Sequence, residues 1–328
     1  MAIKIDGNTL RDMIVAGADE LSKHQQIVND INVFPIPDGD TGTNMSLTVI
    51  AAAKETELLS SSNISEVANA ASKGSLRVAR GNSGVILSQL FRGMAKGLTN
   101  LEQANADDLA NALVQAAKTA YRAVLAPKEG TMLTIARVLA EKATEYSYGS
   151  VEIEELFFKL IKSGNEALIQ TELMLAELKQ AGVVDAGGKG LLIILEGAYK
   201  CLTSQNNASQ NTLKEEKAEP VSVFTFGDYM DYGYCTEFFV SSASKLEMSE
   251  TEKHLKEFLS SAGNSIVTVS DGNMMKIHVH TNNPGAILEY AAKIGQLSDI
   301  KIDNMRTQIN REDIYEKGIA FVGSYKAN

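Results

Sequence analysis

Asp38-Gly39-Asp40-Thr41-Gly42-Thr43-Asn44 sets two carboxylates two residues apart on a glycine-bent segment, followed at once by hydroxyl and amide side chains. Hard oxygen ligands beside the open N–H groups of a helix start suit Mg²⁺ and phosphate together. The metal takes carboxylate and phosphate oxygens while the helix start favours anions. Asp38 and Asp40 are also residue types that cap helices and form Asx turns, so plain capping stands beside the magnesium–nucleotide reading. Calcium is excluded, because an EF-hand starting at Asp38 would need Glu where Val49 stands. A Walker loop is excluded as well: Gly187-Gly188-Lys189 runs into Gly190, where Ser or Thr is required.

Three further polar segments open helical patterns. In Ala79-Arg80-Gly81-Asn82-Ser83-Gly84 the glycines permit close backbone approach, Asn82 and Ser83 can contact phosphate, and Arg80 can screen its charge. Glu129-Gly130-Thr131-Met132-Leu133-Thr134 and Val184-Asp185-Ala186-Gly187-Gly188-Lys189-Gly190 are of the same kind. Each alone reads equally as a cap or a tight turn. Four such starts gathered at one end of a helical barrel would make a stronger case for phosphate.

A second chemistry lies toward the other end of the chain. His278 and His280, two apart on a strand pattern, face one side, and Cys235 falls on another strand pattern of the same region. Sulfur with imidazole selects zinc over magnesium, and three protein ligands leave a fourth position open to water, a carboxylate or a partner. The alternative has both histidines hydrogen-bonded within a sheet and Cys235 as a small buried hydrophobe. No CxxC partner exists for a redox role, and Met274-Met275 and Phe238-Phe239 read as core or interface.

The elements that must position these residues follow from periodicity. A helix capped by Asn8 is expected from Thr9 to Ile31, with His24 inside it in a structural role. Helical patterns recur from about Thr43 to Glu55, Ile64 to Leu76, Ser83 to Leu98, Asp107 to Val124, Thr131 to Tyr146, Val151 to Gln170, Leu173 to Gln180 and Gly188 to Cys201. Ala51-Ala52-Ala53 and Ala116-Ala117 fit close helix contacts. No strand pattern of any length precedes residue 203, so residues 1–203 read as an all-helical bundle or barrel. Residues 204–220 have the composition of a solvated linker.

Beyond the linker, 221–328 changes period. Strands are expected at Tyr234–Val240, Ser265–Val269, Met274–His280 and Asp299–Ile302, with a hairpin at Asp271-Gly272-Asn273. Helices are expected at Ser249–Ser261, opened by Ser249-Glu250-Thr251-Glu252, and at Pro284–Ile294. The order β-α-β-β-α-β predicts a small ferredoxin-like α/β sandwich. The fold class is thus multidomain, α followed by α+β.

Composition narrows the function. At 328 residues two domains are expected, and 44% hydrophobic with 22% charged residues is globular. With 31 Lys+Arg against 41 Asp+Glu the net charge is −10, which argues against nucleic acid and anionic lipid. No apolar run reaches the roughly 18 residues of a membrane helix. The start MAIKIDGNTLRD lacks the features of a signal peptide, so a cytoplasmic protein is expected, with Cys201 and Cys235 reduced.

The string Asn32-Val33-Phe34-Pro35-Ile36-Pro37 leading into the acidic loop, with Ala79–Gln89, Glu129-Gly130-Thr131 and Val184–Gly190, resembles the ATP-binding kinase component of bacterial fatty acid kinase. The first domain resembles the L-subunit of dihydroxyacetone kinase, an antiparallel helical barrel holding Mg–ATP at one end. Tyr234-Cys235-Thr236-Glu237 and His278–Gly285 resemble the middle domain of the same kinase. The likeness runs from residue 1 to about 308. Members usually continue into a further C-terminal domain implicated in engaging the lipid-carrying partner.

The resemblance implies that Asp38 and Asp40 bind a pair of Mg²⁺ ions bridging the phosphates, with Asn32 as candidate third ligand where the L-subunit pattern has an Asp. It further implies that Thr43, Asn44 and the backbone around Ser83 and Gly84 hold phosphate oxygens, beside Thr41, Asn82 and Arg80, and that Thr131 and Asp185 lie near the nucleotide. The implied reaction moves the γ-phosphoryl group of ATP to the carboxylate of a fatty acid presented by a separate fatty-acid-binding protein, in the service of phospholipid synthesis. Such an acceptor, with a pKa of roughly 4 to 5, is already ionised and needs no general base. The sequence marks no apolar pocket for the acyl chain, and the resemblance assigns lipid binding to the partner. The likeness also raises zinc at Cys235, His278 and His280, and a homodimer. Two other classes stay open: a dihydroxyacetone-type small-molecule kinase component, and a non-catalytic nucleotide- or zinc-responsive adaptor.

Overall fold

The apolar stripes of the first part of the chain become, among the described residues, ten helices and one short ladder. These are β1 (Ile5–Asp6), α1 (Gly7–Lys23), α2 (Gln25–Asp30), α3 (Thr41–Glu57), α4 (Ile64–Val78), α5 (Gly81–Gly97), β2 (Gln103–Ala104), α6 (Ala106–Ala123), α7 (Met132–Tyr146), α8 (Ile153–Met174), α9 (Ala176–Ala181) and α10 (Ala186–Ser204). The computed structural model describes residues 4–149, 151–204, 231–242 and 245–306. Its packing separates two units, Met1–Phe34 with Gly39–Thr225 and Pro35–Asp38 with Phe226–Asn328. The expected linker, 204–220, lies outside the described residues apart from Ser204.

Two expectations about the first helix are corrected. Asp6, not Asn8, is the cap: its Oδ1 accepts from Thr9 N at 2.9 Å and from the Thr9 hydroxyl at 3.0 Å. The β1–β2 ladder holds the chain extended up to that point, and at two residues per strand it is too short to leave a pattern in the sequence. The helix also breaks at His24. There the ring Nδ1–H donates to Glu20 O at 2.9 Å, the carbonyl an α-helix reserves for the His24 N–H, which turns to Leu21 O at 3.1 Å.

In the helical unit α1 packs on α3 and α4, and α4 on α5. The contacts continue through α6, α7 and α8 to α10, which returns to α1. Leu21, Met45, Leu87, Leu133, Leu156 and Leu160 are fully buried at its centre. Helices α5 and α6 approach so closely that a Cβ on Gly93 would collide with the backbone of Gln115 and Ala116, which gives the Ala116-Ala117 pair its reason. An apolar cavity of about 150 Å³ lies within, lined among others by Leu10, Met13, Leu90, Phe91, Leu139 and Leu191. Nothing in the linear pattern marks it, because six helices each contribute a few of its residues. No helix among the described residues is long and apolar enough to cross a membrane.

The second unit runs β3 (Tyr234–Ser241), α11 (Lys245–Ala262), β4 (Gly263–Asp271), β5 (Met274–Thr281), α12 (Pro284–Ala292), β6 (Gln296–Asn304). The strands form one sheet in the order β4-β5-β3-β6, each neighbour antiparallel. Gly272, at φ +63°, makes the tight β4–β5 turn with Asn273. Asn283 caps α12 by accepting from Ala286 N at 3.1 Å, with Pro284 in the first turn as expected. Helix α11 starts at Lys245, ahead of the expected opening at Ser249, since Lys245-Leu246-Glu247-Met248 are strong helix formers. Phe238, Val240, Ile277 and Val279 join Leu255, Leu259 and Ile287 in the core. Strand alternation therefore turns Cys235, Glu237, His278 and His280 to the opposite face.

Gly93→Ala, which overpacks the α5–α6 contact, is expected to lower stability by about 1–3 kcal/mol. A thermal melt reads it as a reduced Tm.

Candidate functional site

The four polar helix starts come together in pairs. Asp185 joins two of them. Its buried carboxylate accepts from Gly188 N at 2.6 Å, inside α10, and from Met132 N at the start of α7. Burial pushes this carboxyl up to about 7, with the two backbone N–H groups pulling the other way. Gly81 joins the other two. It stands at φ +60° with no room for a side chain, since a Cβ there would lie 2.5 Å from Asn44 Nδ2 in the first turns of α3. The pairs are linked in turn through α10, where a Cβ on Gly190 would meet Met45 Sδ of α3 at 2.7 Å.

The caps differ among these starts. Asp6, Asn63, Asn105, Thr131 and Asn283 all close their helices with side-chain hydrogen bonds. Asp40 and Arg80, the N-cap residues of α3 and α5, make no such bond, and neither does Glu152 at α8. The capping reading of Asp40 therefore loses its main support, and the two starts that meet at Asn44 and Gly81 lack side-chain caps. Asp38 and Asp40 are half-buried, with left-handed Gly39 between them at φ +64°.

The remaining expected residues are distributed as follows. The Thr41 hydroxyl donates to buried Asn32 Oδ1, tying the beginning of the loop to the beginning of α3. The Thr43 hydroxyl oxygen accepts from Gln25 Nε2 and Asn29 Nδ2, both at 3.1 Å, while Thr43 N donates to Asn29 Oδ1 at 3.1 Å. Its side chain thus serves the α2–α3 junction. Arg80 is exposed, Asn82 and Ser83 half-buried and Gly84 buried. Thr131 behaves as a cap, accepting from Leu133 N at 3.3 Å and donating to Lys128 O at 2.8 Å.

Sequence reasoning missed several supports. The Lys128 ammonium stands 5.1 Å from the centre of the Phe34 ring, which brings the third segment to the loop that leads to Asp38. Glu129 accepts from Tyr121 at 2.7 Å and from Thr134 and Arg137 at 2.8 Å each. Burial opposes its ionisation, but Arg137, Tyr121 and Thr134 together hold its carboxyl below the usual range. These partners come from distant turns, and only Glu129 stood within a segment already singled out.

On the sheet, Cys235 lies opposite His280 and Glu237 opposite His278. Ligand atoms of Cys235, His278 and His280 fall within 4.8 Å of one another. The Nε2 atoms of the two histidines are 3.2 Å apart, and His278 Nδ1 is 2.8 Å from Glu237 Oε1 and 3.7 Å from Cys235 Sγ. Burial works against a charged His278, yet Cys235 and Glu237 hold its pKa up, to about 10. Burial and then His278 push His280 down to about 3. The two expected histidines and the cysteine are thus brought together. Glu237 was not expected, although its i, i+2 spacing from Cys235 on the same strand was the available signal.

Comparison with known proteins gives two family matches, the DAK2 domain over residues 35–200 and the FakA-like middle domain of fatty acid kinase over residues 231–312. Uncharacterized proteins of Staphylococcus aureus, from strain bovine RF122 / ET3-1 and from strain USA300, are each 41% identical over 315 residues, covering 94% of this chain. The chain spans 57% of the length of these relatives. The crystal structure of the dihydroxyacetone kinase of C. freundii in its native form aligns with 58% of this chain and 34% of its own, at 19% identity and a TM-score of 0.43.

Asp185 keeps its proton in the folded protein up to about pH 7, while in the unfolded chain it ionises near the ordinary value of 3.8. The folded state therefore binds more protons across that window, and this group makes stability fall as pH rises through it. Asp185→Asn is expected to lack that slope. The wild-type Tm minus the variant Tm should decline from pH 4 to pH 7, and a flat difference refutes the assignment.

Proposed function

The chain belongs to the DAK2-domain family and carries a FakA-like middle domain, and on that premise we propose that it transfers the γ-phosphoryl group of ATP to the carboxylate of a fatty acid presented by a separate fatty-acid-binding protein. Residues 1–203 act as the kinase domain and 221–328 as the middle domain. The circuit of helices supports the antiparallel barrel, and the strand order β4-β5-β3-β6 supports the ferredoxin-like sandwich. The observation that carries the kinase reading is the meeting of the α3 and α5 starts at Asn44 and Gly81, neither start closed by a side-chain cap, directly after the acidic loop.

A backbone cradle that a single Cβ would fill, beside two carboxylates, fits a polyphosphate with hard cations. Asp38 and Asp40 hold a pair of Mg²⁺ ions, with Asn32 as the third candidate ligand; bound there, the ions neutralise and bridge phosphate oxygens. The start of α5 presents Asn82, Ser83 and Gly84 to the phosphates, and exposed Arg80 adds charge. Asp185 and Thr131 act by fixing the starts of α10 and α7.

The new bond joins an acceptor carboxylate oxygen to the γ-phosphorus, the bond to the ADP oxygen breaks, and the products are acyl phosphate and ADP. The acceptor arrives ionised, so no proton has to be removed. This agrees with the helical unit, where His24 is spent on a helix break. The protein's task is in-line positioning and charge neutralisation. In the second unit Cys235, His278 and His280 hold zinc. A tetrahedral ion with Zn–N bonds of about 2.0–2.1 Å puts two nitrogens about 3.3 Å apart, close to the 3.2 Å between the histidine Nε2 atoms.

Calorimetric titration of ATP is expected to show binding with Mg²⁺ that chelator abolishes and that Asp40→Ala, folded by circular dichroism, loses. With carrier protein, fatty acid and ATP, trapping of acyl phosphate by hydroxylamine should fall at least about 100-fold in Asp40→Ala. Phosphorylation of dihydroxyacetone with none of the fatty acid would move the reading to a small-molecule kinase. ATP binding without transfer to either would make the chain an adaptor.

A further inference from the structure

Glu237 is a buried carboxylate in the middle of a sheet, a costly placement unless its charge is matched. Its neighbours are arranged by register. Across β5 it faces His278, and across β6 it faces Lys301. Lys301 in turn forms an ion pair with Asp303, the β6 partner of Cys235, and feels the charges of both Glu237 and Cys235. Three strands thus carry Glu237 and Cys235, His278 and His280, and Lys301 and Asp303 in rows two residues apart on one face.

Within this set two acceptors compete for one nitrogen. His278 Nδ1 is 2.8 Å from Glu237 Oε1 and 3.7 Å from Cys235 Sγ. The shorter contact belongs to Glu237, with the two side chains only 7% and 1% exposed. The other ring nitrogen, Nε2, is the one that stands 3.2 Å from His280 Nε2.

We infer that Glu237 is a positioning residue for the zinc site: by accepting from His278 Nδ1–H it fixes the ring so that Nε2 turns to the metal, and it leaves the Cys235 sulfur available as a ligand. The inference rests on the zinc reading proposed above. A carboxylate behind a metal-binding imidazole sets the tautomer and raises the basicity of the coordinating nitrogen, and its loss typically weakens metal binding 10- to 100-fold. Cys235 is then a ligand through sulfur alone, and the partner of His278 Nδ1 is carboxylate oxygen.

The test is zinc affinity of the full chain, measured by competition with a chromophoric chelator, together with the visible spectrum after Co²⁺ substitution. Wild type is expected to take up one zinc and Cys235→Ala to lose it. Glu237→Ala should bind 10- to 100-fold more weakly with altered cobalt bands. Glu237→Gln, which keeps an acceptor without the charge, should fall between. Affinities within twofold of wild type and an unchanged cobalt spectrum in the variants would overturn the inference, even if Tm drops, because Glu237 would then be a sheet ion pair only. Should Glu237→Ala fail to fold, Glu237→Gln decides by the same criteria. Absence of zinc binding in the wild type would overturn the zinc reading and the inference with it, and is read separately from the variants.

Discussion

Backbone N–H groups at helix starts have no partner within their own helix, and the helical unit depends on how those donors are satisfied where several starts converge. Asp185 settles two helices at once, since its carboxylate accepts from Gly188 of α10 and from Met132 of α7. The position of α10 then sets its contact with Met45 of α3, and α3 sets the contact with Gly81 of α5. The Thr43 N–H is taken by Asn29, so α2 is drawn into the same end of the unit. Closed donors therefore make the frame, and the uncapped starts of α3 and α5 are held by it. An anion site made of backbone needs such a frame, because N–H groups that could turn toward other partners would lose their selectivity for the ligand.

The second unit meets the same requirement with a sheet. A strand repeats every two residues, so a one-residue slip would send Cys235, Glu237, His278 and His280 to the helix-covered side together. Register is fixed by the apolar residues between them, Phe238, Val240, Ile277 and Val279, which must meet α11 and α12. The metal-binding geometry is in that sense a by-product of core packing. Burial makes the polar row expensive unless each charge is answered, and the succession of pairs from His278 through Glu237 toward Lys301 and Asp303 answers it.

The two units also divide the chemistry. Phosphoryl transfer to an ionised carboxylate needs positive charge and alignment, which carboxylate-held cations and helix starts supply without a titrating base. The histidines that belong to a site lie in the sheet unit, where sulfur and imidazole favour a softer metal. Such a division keeps the hard oxygen ligands apart from the soft set, so each selects its own ion by ligand chemistry.

Periodicity and local chemistry in the sequence determined most elements to within a few residues, the change of period past the linker, and the grouping of Cys235, His278 and His280. Those are short-range properties: a stripe at helical spacing, a Gly272 turn, a pair of residues two apart. The β1–β2 ladder and the break at His24 were not legible, since both are decided by one or two hydrogen bonds that leave no pattern. Nor was the apolar cavity, whose lining is shared among six helices. Which polar segments cap and which stay open was equally undetermined, because Asp, Asn and Thr serve both purposes and only the neighbours choose. Tertiary structure alone spent Asp185, Thr131 and the Thr43 hydroxyl on the frame, left Asp40 and Arg80 without capping bonds, and placed Glu237 behind His278. The physical reason is common to all of these: a polar atom's role is set by the partner nearest to it, and that partner is usually far away in the chain.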